Sequence, residues 1–209
     1  MTLPDFQTLL AEALGDTPAP AADDATDTRV LDATLRLIGE YGERRLTIDD
    51  VAAAARVGRA TVFRRFGSKD DLIARLYARE VRVAMAGLVA RTRDAADARA
   101  AIVDGFTHLV AHTVGHPITS RLARAEPDIL VALWRDGQPT GQDVLLLVLA
   151  TIAAQHDTRP DRRGLQTLAD LLARLLLAEL LVPGSPARAR ARRAAIAQVV
   201  DGVLSPARV

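Results

Sequence analysis

Residues 47–66, TIDDVAAAARVGRATVFRRF, decide the fold. The Thr47 hydroxyl can cap a helix, and Asp50 three residues on completes a capping-box-like pair. The alanine-rich run that follows is expected to be helical to about Ala55. Arg56, Val57 and Gly58 make a short turn. A second short helix is expected over 59–66, stopped by Gly67. Two short helices joined by a tight turn fit a helix-turn-helix. On the second helix Val62 and Phe66, four apart, share a face with Val57, and they are expected to pack on Ile48, Val51 and Ala52. At about 100° per residue the opposite face then carries Ala60, Thr61 and Arg64, flanked by Phe63 and Arg65.

That outward surface is made of small residues, a hydroxyl and guanidiniums, and can enter a DNA major groove without steric conflict. Thr61 and Arg64 are expected to reach base edges, while Arg59 and Arg65 neutralise phosphates. Lys69 falls in the first turn of the next helix, where its charge opposes the helix dipole; a phosphate contact gives it a reason. The same spacing also suits a plain helical hairpin with a solvated arginine face.

Outward from this stretch the pattern stays helical. Upstream, Val30, Leu31, Thr34, Leu37, Ile38 and Tyr41 form the inner face of a helix over about 28–41, with Gly42 as its stop. Downstream, Ser68 caps a long helix reaching about Arg93, with Asp71 in the partner position. Further helices are expected near 97–115, 119–126, 128–136, 140–156, 161–182 and 187–204. Pro117, Pro127, Pro139, Pro160 and the turn Pro183-Gly184-Ser185-Pro186 punctuate them. No sustained alternation suggests a strand. The expected class is all-α, in three parts. Residues 1–27 form a flexible acidic arm, with a short amphipathic helix possible around Leu3–Leu14; 28–72 form a three-helix head; 73–209 form a larger helical bundle.

Composition narrows the function classes. The chain has 209 residues, 49% of them hydrophobic, enough for a sizeable core. It has no cysteine, which excludes disulfides, thiolate metal sites and cysteine nucleophiles. Met1–Phe6 shows no basic segment before an apolar one, so no secretory signal is expected. The longest apolar runs, Val144–Ala154 and Leu171–Val182, fall short of the roughly 18 residues of a membrane span. A cytoplasmic protein without a membrane partner is expected. Net charge is only +1, but its distribution is uneven. Residues 1–27 hold six acids and no base; Arg56, Arg59, Arg64 and Arg65 form a stretch without an acid. Local charge is what meets phosphate.

No phosphate-binding loop, dinucleotide fingerprint or nucleophile–base arrangement stands out, so neither enzyme activity nor a cofactor is expected. His108, His112 and His116 stand four apart after Asp104, and paired histidines at that spacing can chelate a metal. The Glu of a hydrolytic His-Glu-x-x-His site is missing, since Leu109 follows His108. A polar helix face accounts for them as well, and no metal is expected.

Residues 30–72, VLDATLRLIGEYGERRLTIDDVAAAARVGRATVFRRFGSKDDL, resemble the N-terminal domain of TetR-type (TetR/AcrR) transcription regulators. The resemblance is carried by Tyr41-Gly42, Thr47, Val57, Thr61, Phe63, Phe66 and the exit Ser68-Lys69-Asp70-Asp71-Leu72. It implies an all-helical homodimer whose recognition helices read successive major grooves of a roughly palindromic double-stranded operator. Thr47, Thr61, Phe63, Arg65 and Lys69 correspond to positions that usually touch DNA. There are three departures. Arg56 stands where glycine is frequent in the turn, Gly58 where serine often caps, and Phe63 where tyrosine is usual.

The resemblance also implies that the last two helices, near 161–182 and 187–204, form the dimer interface. Leu165, Leu168, Leu172, Leu175, Leu176 and Leu180 line the first; Ala195, Ile196, Val199, Val200 and Val203 line the second. Arg188, Arg190, Arg192 and Arg193 read as a solvated helix start. An effector cavity is implied too. Its candidate lining is Phe106, Leu109, Thr113, Leu122, Ile129, Leu133, Trp134 and Leu146, with Arg121, Arg124 and Glu126 as polar neighbours. The implied function is a repressor released by a small, largely apolar molecule. Its rivals are a ligand-independent regulator, an activator on the same scaffold, or a helical binding protein or enzyme whose helix-turn-helix is idle.

Overall fold

The computed structural model describes residues 23–136, 141–158 and 161–204. Side chains are described over these ranges except at 133–136 and 186–189. The described residues are helical, with no strand among them. In chain order the helices are α1 (Ala25–Tyr41), α2 (Ile48–Ala55), α3 (Arg59–Phe66), α4 (Lys69–Thr92) and α5 (Ala98–Gly115). Then come α6 (Pro117–Ala125), α7 (Pro127–Asp136), α8 (Gly141–Gln155), α9 (Arg162–Leu181) and α10 (Pro186–Leu204). A 3-10 turn, Glu43–Arg45, joins α1 to α2.

The helix ends follow local chemistry. The Thr47 hydroxyl accepts from the Asp50 amide at 3.1 Å, and the Ser68 hydroxyl accepts from the Asp71 amide at 3.0 Å. Asp97 and Asp161 cap α5 and α9 in the same way. Gly42, at φ 84°, closes α1. That helix starts at Ala25 and not near Thr28, because Asp24 caps it: one carboxylate oxygen accepts from the Thr26 and Asp27 amides, each at 2.8 Å. The last residues of the expected acidic arm are therefore helix.

Two apolar cores share one helix. The smaller gathers Val30, Leu31 and Ile38 of α1, Ile48 and Val51 of α2, Val62 and Phe66 of α3, and Leu72, Ile73 and Leu76 of α4. The larger gathers Met85, Leu88 and Val89 of α4 with α5, α8, α9 and α10. No linker separates them after residue 72; α4 runs unbroken through both. A second joint lies at α6, whose Ile118 enters the smaller core. There α1 approaches so closely that a Cβ on Gly39 would lie 2.8 Å from Pro117 Cβ.

Much of the stripe expected at a dimer interface is buried within the chain. Leu165, Leu168, Leu172, Leu176, Leu180, Ile196 and Val200 belong to the larger core. Of that stripe, Ala195 and Val199 are exposed and Leu175 and Val203 half-buried; Leu171, outside it, is exposed on α9, as is Val182 beyond the end of that helix. The reason is geometric: α9 packs against several neighbours at once, so most of its leucines meet this chain's own helices.

Candidate nucleic-acid interface

Helices α2 and α3 form the expected hairpin. The turn is made by Arg56 in a left-handed conformation, φ 56° and ψ 46°. Its amide closes α2 onto Ala52 and Ala53, and the Val57 amide reaches the Ala52 carbonyl at 3.0 Å. This conformation suits glycine and costs a residue with a Cβ about 1–2 kcal/mol. Gly58 opens α3 without a side-chain cap.

On α3, Val62 and Phe66 are buried beneath the hairpin, while Arg59, Ala60, Phe63 and Arg64 are exposed and Thr61 is half-buried. The outward face is thus the one expected from the spacing. Thr47 is exposed at the edge, its hydroxyl engaged with Asp50, and Lys69 is half-exposed beyond Gly67. Arg56 and Arg64 make no hydrogen bond or ion pair among the described residues.

The other two arginines are engaged. Arg59 Nη1 donates to both carboxylate oxygens of Asp49, at 3.0 and 2.8 Å, bridging the starts of α2 and α3. Its guanidinium also lies 5.3 Å from the centre of the Phe63 ring. Arg65 turns away from the outward face. Its Nη1 donates to Asp24 at 2.5 Å and to Asp27 at 2.8 Å, and its Nε is buried without a partner. Arg75 of α4 donates to Asp23 and Asp27 and stacks 4.9 Å over Phe66. The Asp27 backbone amide, reinforced by Arg65, holds the Asp24 carboxyl down at about 2. The Arg65 guanidinium is correspondingly raised by Asp24 and Asp27. Asp24, Asp27 and Arg75 were not among the expected site residues. Their one signal was the run of aspartates just ahead of the first helix.

A second polar chain joins the head to the bundle. Arg79 of α4 donates to Asp32 of α1 and pairs with Glu80, whose other oxygen lies 3.1 Å from His116 Nε2. Burial pushes the Glu80 carboxyl up, but the His116 and Arg79 hydrogen bonds outweigh it and hold it low. His108, His112 and His116 stack along α5, with ring centres 6.2 and 5.8 Å apart. Burial lowers His108, as does Arg91; burial and the two neighbouring imidazoles lower His112. Among the described residues no group of three or more histidines and carboxylates is arranged to hold a metal ion.

The candidate effector lining is scattered. Phe106 and Leu109 border an apolar void with Leu88, Ile102, Leu145 and Leu172. That void measures about 10 Å³, against the several hundred a bound small molecule needs. Thr113 donates to the Leu109 carbonyl, Leu122 is half-buried between the two cores, and Leu146 is half-buried on the larger one. Ile129 is exposed. The side chains of Leu133 and Trp134 lie outside the described residues. Arg121 and Glu126 pair at 2.9 Å in an open cleft of about 440 Å³ with Tyr41, Arg44 and Arg45. Arg124 donates to Ser120 beside it. In the basic run of α10, Arg192 pairs with Glu179 and Arg193 with Asp104, Arg190 is exposed, and the Arg188 side chain is outside the described residues.

Comparison with known proteins agrees with this geometry. Residues 30–76 match the family model for bacterial regulatory proteins of the tetR family. Over 61 residues the chain is 46% identical to uncharacterized HTH-type transcriptional regulators of Mycobacterium bovis and Mycobacterium tuberculosis. The match covers 29% of this chain and 30% of those proteins, so the chain spans less than a third of the relatives' length. A TetR-like transcriptional regulator from Rhodococcus sp. RHA1 superposes over 88% of this chain and 98% of its own, with TM-score 0.60 and 16% identity. The TetR family repressor AlkX from Dietzia sp., implicated in biodegradation of n-alkanes, superposes over 88% and 100%, with TM-score 0.53 and 20% identity. The ketosteroid transcriptional regulator KstR2 of Mycobacterium tuberculosis does so over 88% and 98%, at TM-score 0.54 and 16% identity. These likenesses establish a common fold across both cores.

Proposed function

Because residues 30–76 match the family model for bacterial regulatory proteins of the tetR family, we propose that this chain is a sequence-specific DNA-binding transcription regulator of that kind. The observation that carries this is α3 itself. Val62 and Phe66 anchor it, and Ala60, Thr61, Phe63 and Arg64 face out on a helix small enough for a major groove. Thr61 and Arg64 meet base edges. Arg56, Lys69 and the edge residue Thr47 meet the backbone, and Arg59 joins them when it leaves Asp49.

The chain acts as a cytoplasmic homodimer on a palindromic operator. The exposed Leu171 and Val199 of α9 and α10 support that assembly, as two apolar side chains left over after the core is filled. No helix among the described residues is long and apolar enough to cross a membrane.

The regulator is a repressor released by an apolar effector. Support comes from the void between Leu88, Phe106 and Leu172, lined by apolar side chains. Opening it to several hundred Å³ must displace Leu88, and Leu88 sits on the helix whose first turns root the head through Leu72 and Leu76. The effector then favours, by differential affinity, a state in which the two reading helices no longer match successive grooves.

The test is fluorescence anisotropy on the chain's own upstream DNA against a scrambled duplex across a salt series. Preference for the native duplex that persists near physiological salt supports the reading. Thr61→Ala with Arg64→Ala then removes that preference, each lost base contact costing about 1–3 kcal/mol. Binding that is equal for both duplexes and steeply salt-sensitive means phosphate attraction alone.

A further inference from the structure

Helix α3 has eight residues and only two buried side chains, Val62 and Phe66. Its core contacts hold it down but leave its tilt about that anchor weakly determined. One polar tie crosses from its last turn to the first helix: Arg65 to Asp24 and Asp27, 41 and 38 residues earlier in the chain. We propose that this cluster sets the angle of α3 against α1, and that Arg65 is a positioning residue for DNA reading and not a phosphate contact. The proposal rests on the DNA-binding reading above.

Three observations carry it. Asp27 is buried and accepts from two arginines, Arg65 of α3 and Arg75 of α4, so three helices converge on one carboxylate. Asp24 holds the start of α1 through two backbone amides with the oxygen that faces the helix and receives Arg65 on the other, so the tie is anchored to main chain. Arg65 Nε is buried without a partner, which places the guanidinium against the protein body.

Charge points the same way. Asp23, Asp24 and Asp27 face Arg65 and Arg75, three negative groups against two positive. A swing out to a phosphate would cost Arg65 its hydrogen bonds to both Asp24 and Asp27, and would leave three carboxylates facing Arg75 alone.

The test uses the full chain and a duplex that it selects from a random-sequence library. The variants are Arg65→Ala, Arg65→Lys, Asp27→Asn and Asp24→Asn. Asparagine caps a helix about as well as aspartate, so Asp24→Asn removes charge while sparing the cap and serves if Asp27→Asn fails to fold. The acid and alanine variants are expected to weaken binding about tenfold, with the slope of log affinity on log salt unchanged. Arg65→Lys is expected to recover part of the loss. A phosphate contact held back by acids gives the reverse: Asp24→Asn and Asp27→Asn tighten binding, and Arg65→Ala lowers the slope by about 0.9. That pair of results overturns the proposal. Amide hydrogen exchange of residues 59–66 without DNA is the second readout. It is expected to speed up in Arg65→Ala and Asp24→Asn, and unchanged exchange also overturns the proposal. This readout stands apart from DNA binding, so a failure of the regulator reading is separately visible.

Discussion

The head and the bundle balance apolar packing and ion pairs differently. The bundle surrounds α9 with long leucine-rich helices, its buried set is apolar from Met85 to Val200 but for Thr92, and its ion pairs join one arginine to one acid: Arg99 to Asp201, Arg192 to Glu179, Arg193 to Asp104. The head buries a smaller cluster and fixes its rim with ion pairs: Arg59 to Asp49, Arg65 to Asp24 and Asp27, Arg75 to Asp23 and Asp27. Apolar packing is strong and hardly directional; a fork of guanidinium and carboxylate is weaker and directional. Under the proposed function, the part that presents side chains at a set angle uses the directional tie, and the part that would absorb a change of volume uses the other. The contrast is sharpest at Leu168, fully buried in the bundle, and Val62, fully buried in the head. Leu168→Ala is expected to cost about 2–5 kcal/mol of stability. Val62→Ala is expected to cost about 2 kcal/mol, yet to damage DNA binding more. Urea unfolding and duplex anisotropy on both variants test this. Equal loss of binding at equal loss of stability would erase the distinction.

The next effect lies where the two regions touch. A methyl on Gly39 meets Pro117 Cβ at 2.8 Å, and both atoms belong to stiff elements. Gly39→Ala is expected to push α1 off α6 and cost about 1–3 kcal/mol as overpacking. If α1–α6 contact also transmits the effector signal, the variant changes operator affinity beyond its stability loss. Binding at a temperature well below the melt separates the two.

The same division governs what the amino-acid sequence disclosed. Helix ends depend on neighbours in the chain, so Thr47, Ser68, Gly42, Gly67 and the prolines at 117 and 127 marked them to within a few residues. The buried face of α3 followed from period alone. The start of α1 was missed because Asp24 sits in an acidic, alanine-rich run that looks like linker. The direction of Arg65 depends on residues about 40 positions away, and no local pattern encodes that. In the bundle, a leucine stripe reads identically whether its partner is this chain or another copy; α9 meets so many of its own neighbours that Leu168 and Leu176 went inward. The effector candidates scattered for a related reason. A cavity is a property of how helices fail to touch, and side-chain type along one helix carries little of it.

The head's polar ties also make it acid-sensitive at Asp24. Asp24 titrates near 2 in the folded chain against 3.8 in the unfolded one. A depressed carboxylate stabilises the fold fully above its unfolded value and loses that contribution as pH falls through the folded one. The melting-temperature gap between the wild-type chain and Asp24→Asn should therefore hold steady from pH 7 to about 5, shrink below about 4, and close near 2. A gap that widens on acidification would contradict the assignment. Leu168→Ala should show no such closure over the same range, since its loss is apolar.

The smallest expected effect is at the hairpin turn. Arg56 holds a left-handed backbone, which costs a residue with a Cβ about 1–2 kcal/mol relative to glycine. Arg56→Gly removes that strain but adds backbone freedom to the unfolded chain, worth about 0.5–1 kcal/mol in the other direction. The difference leaves a net gain of at most about 1.5 kcal/mol, read as a small rise in melting temperature. The same substitution deletes a cation that has no partner among the described residues. If that cation serves a phosphate, the salt slope of operator binding falls by about 0.9 while the protein itself becomes slightly more stable. Strain is retained in folded proteins where something else uses the residue. Opposite signs in stability and affinity from one substitution would show that here it is DNA. A gain in stability with an unchanged slope would mean that Arg56 merely tolerates the turn.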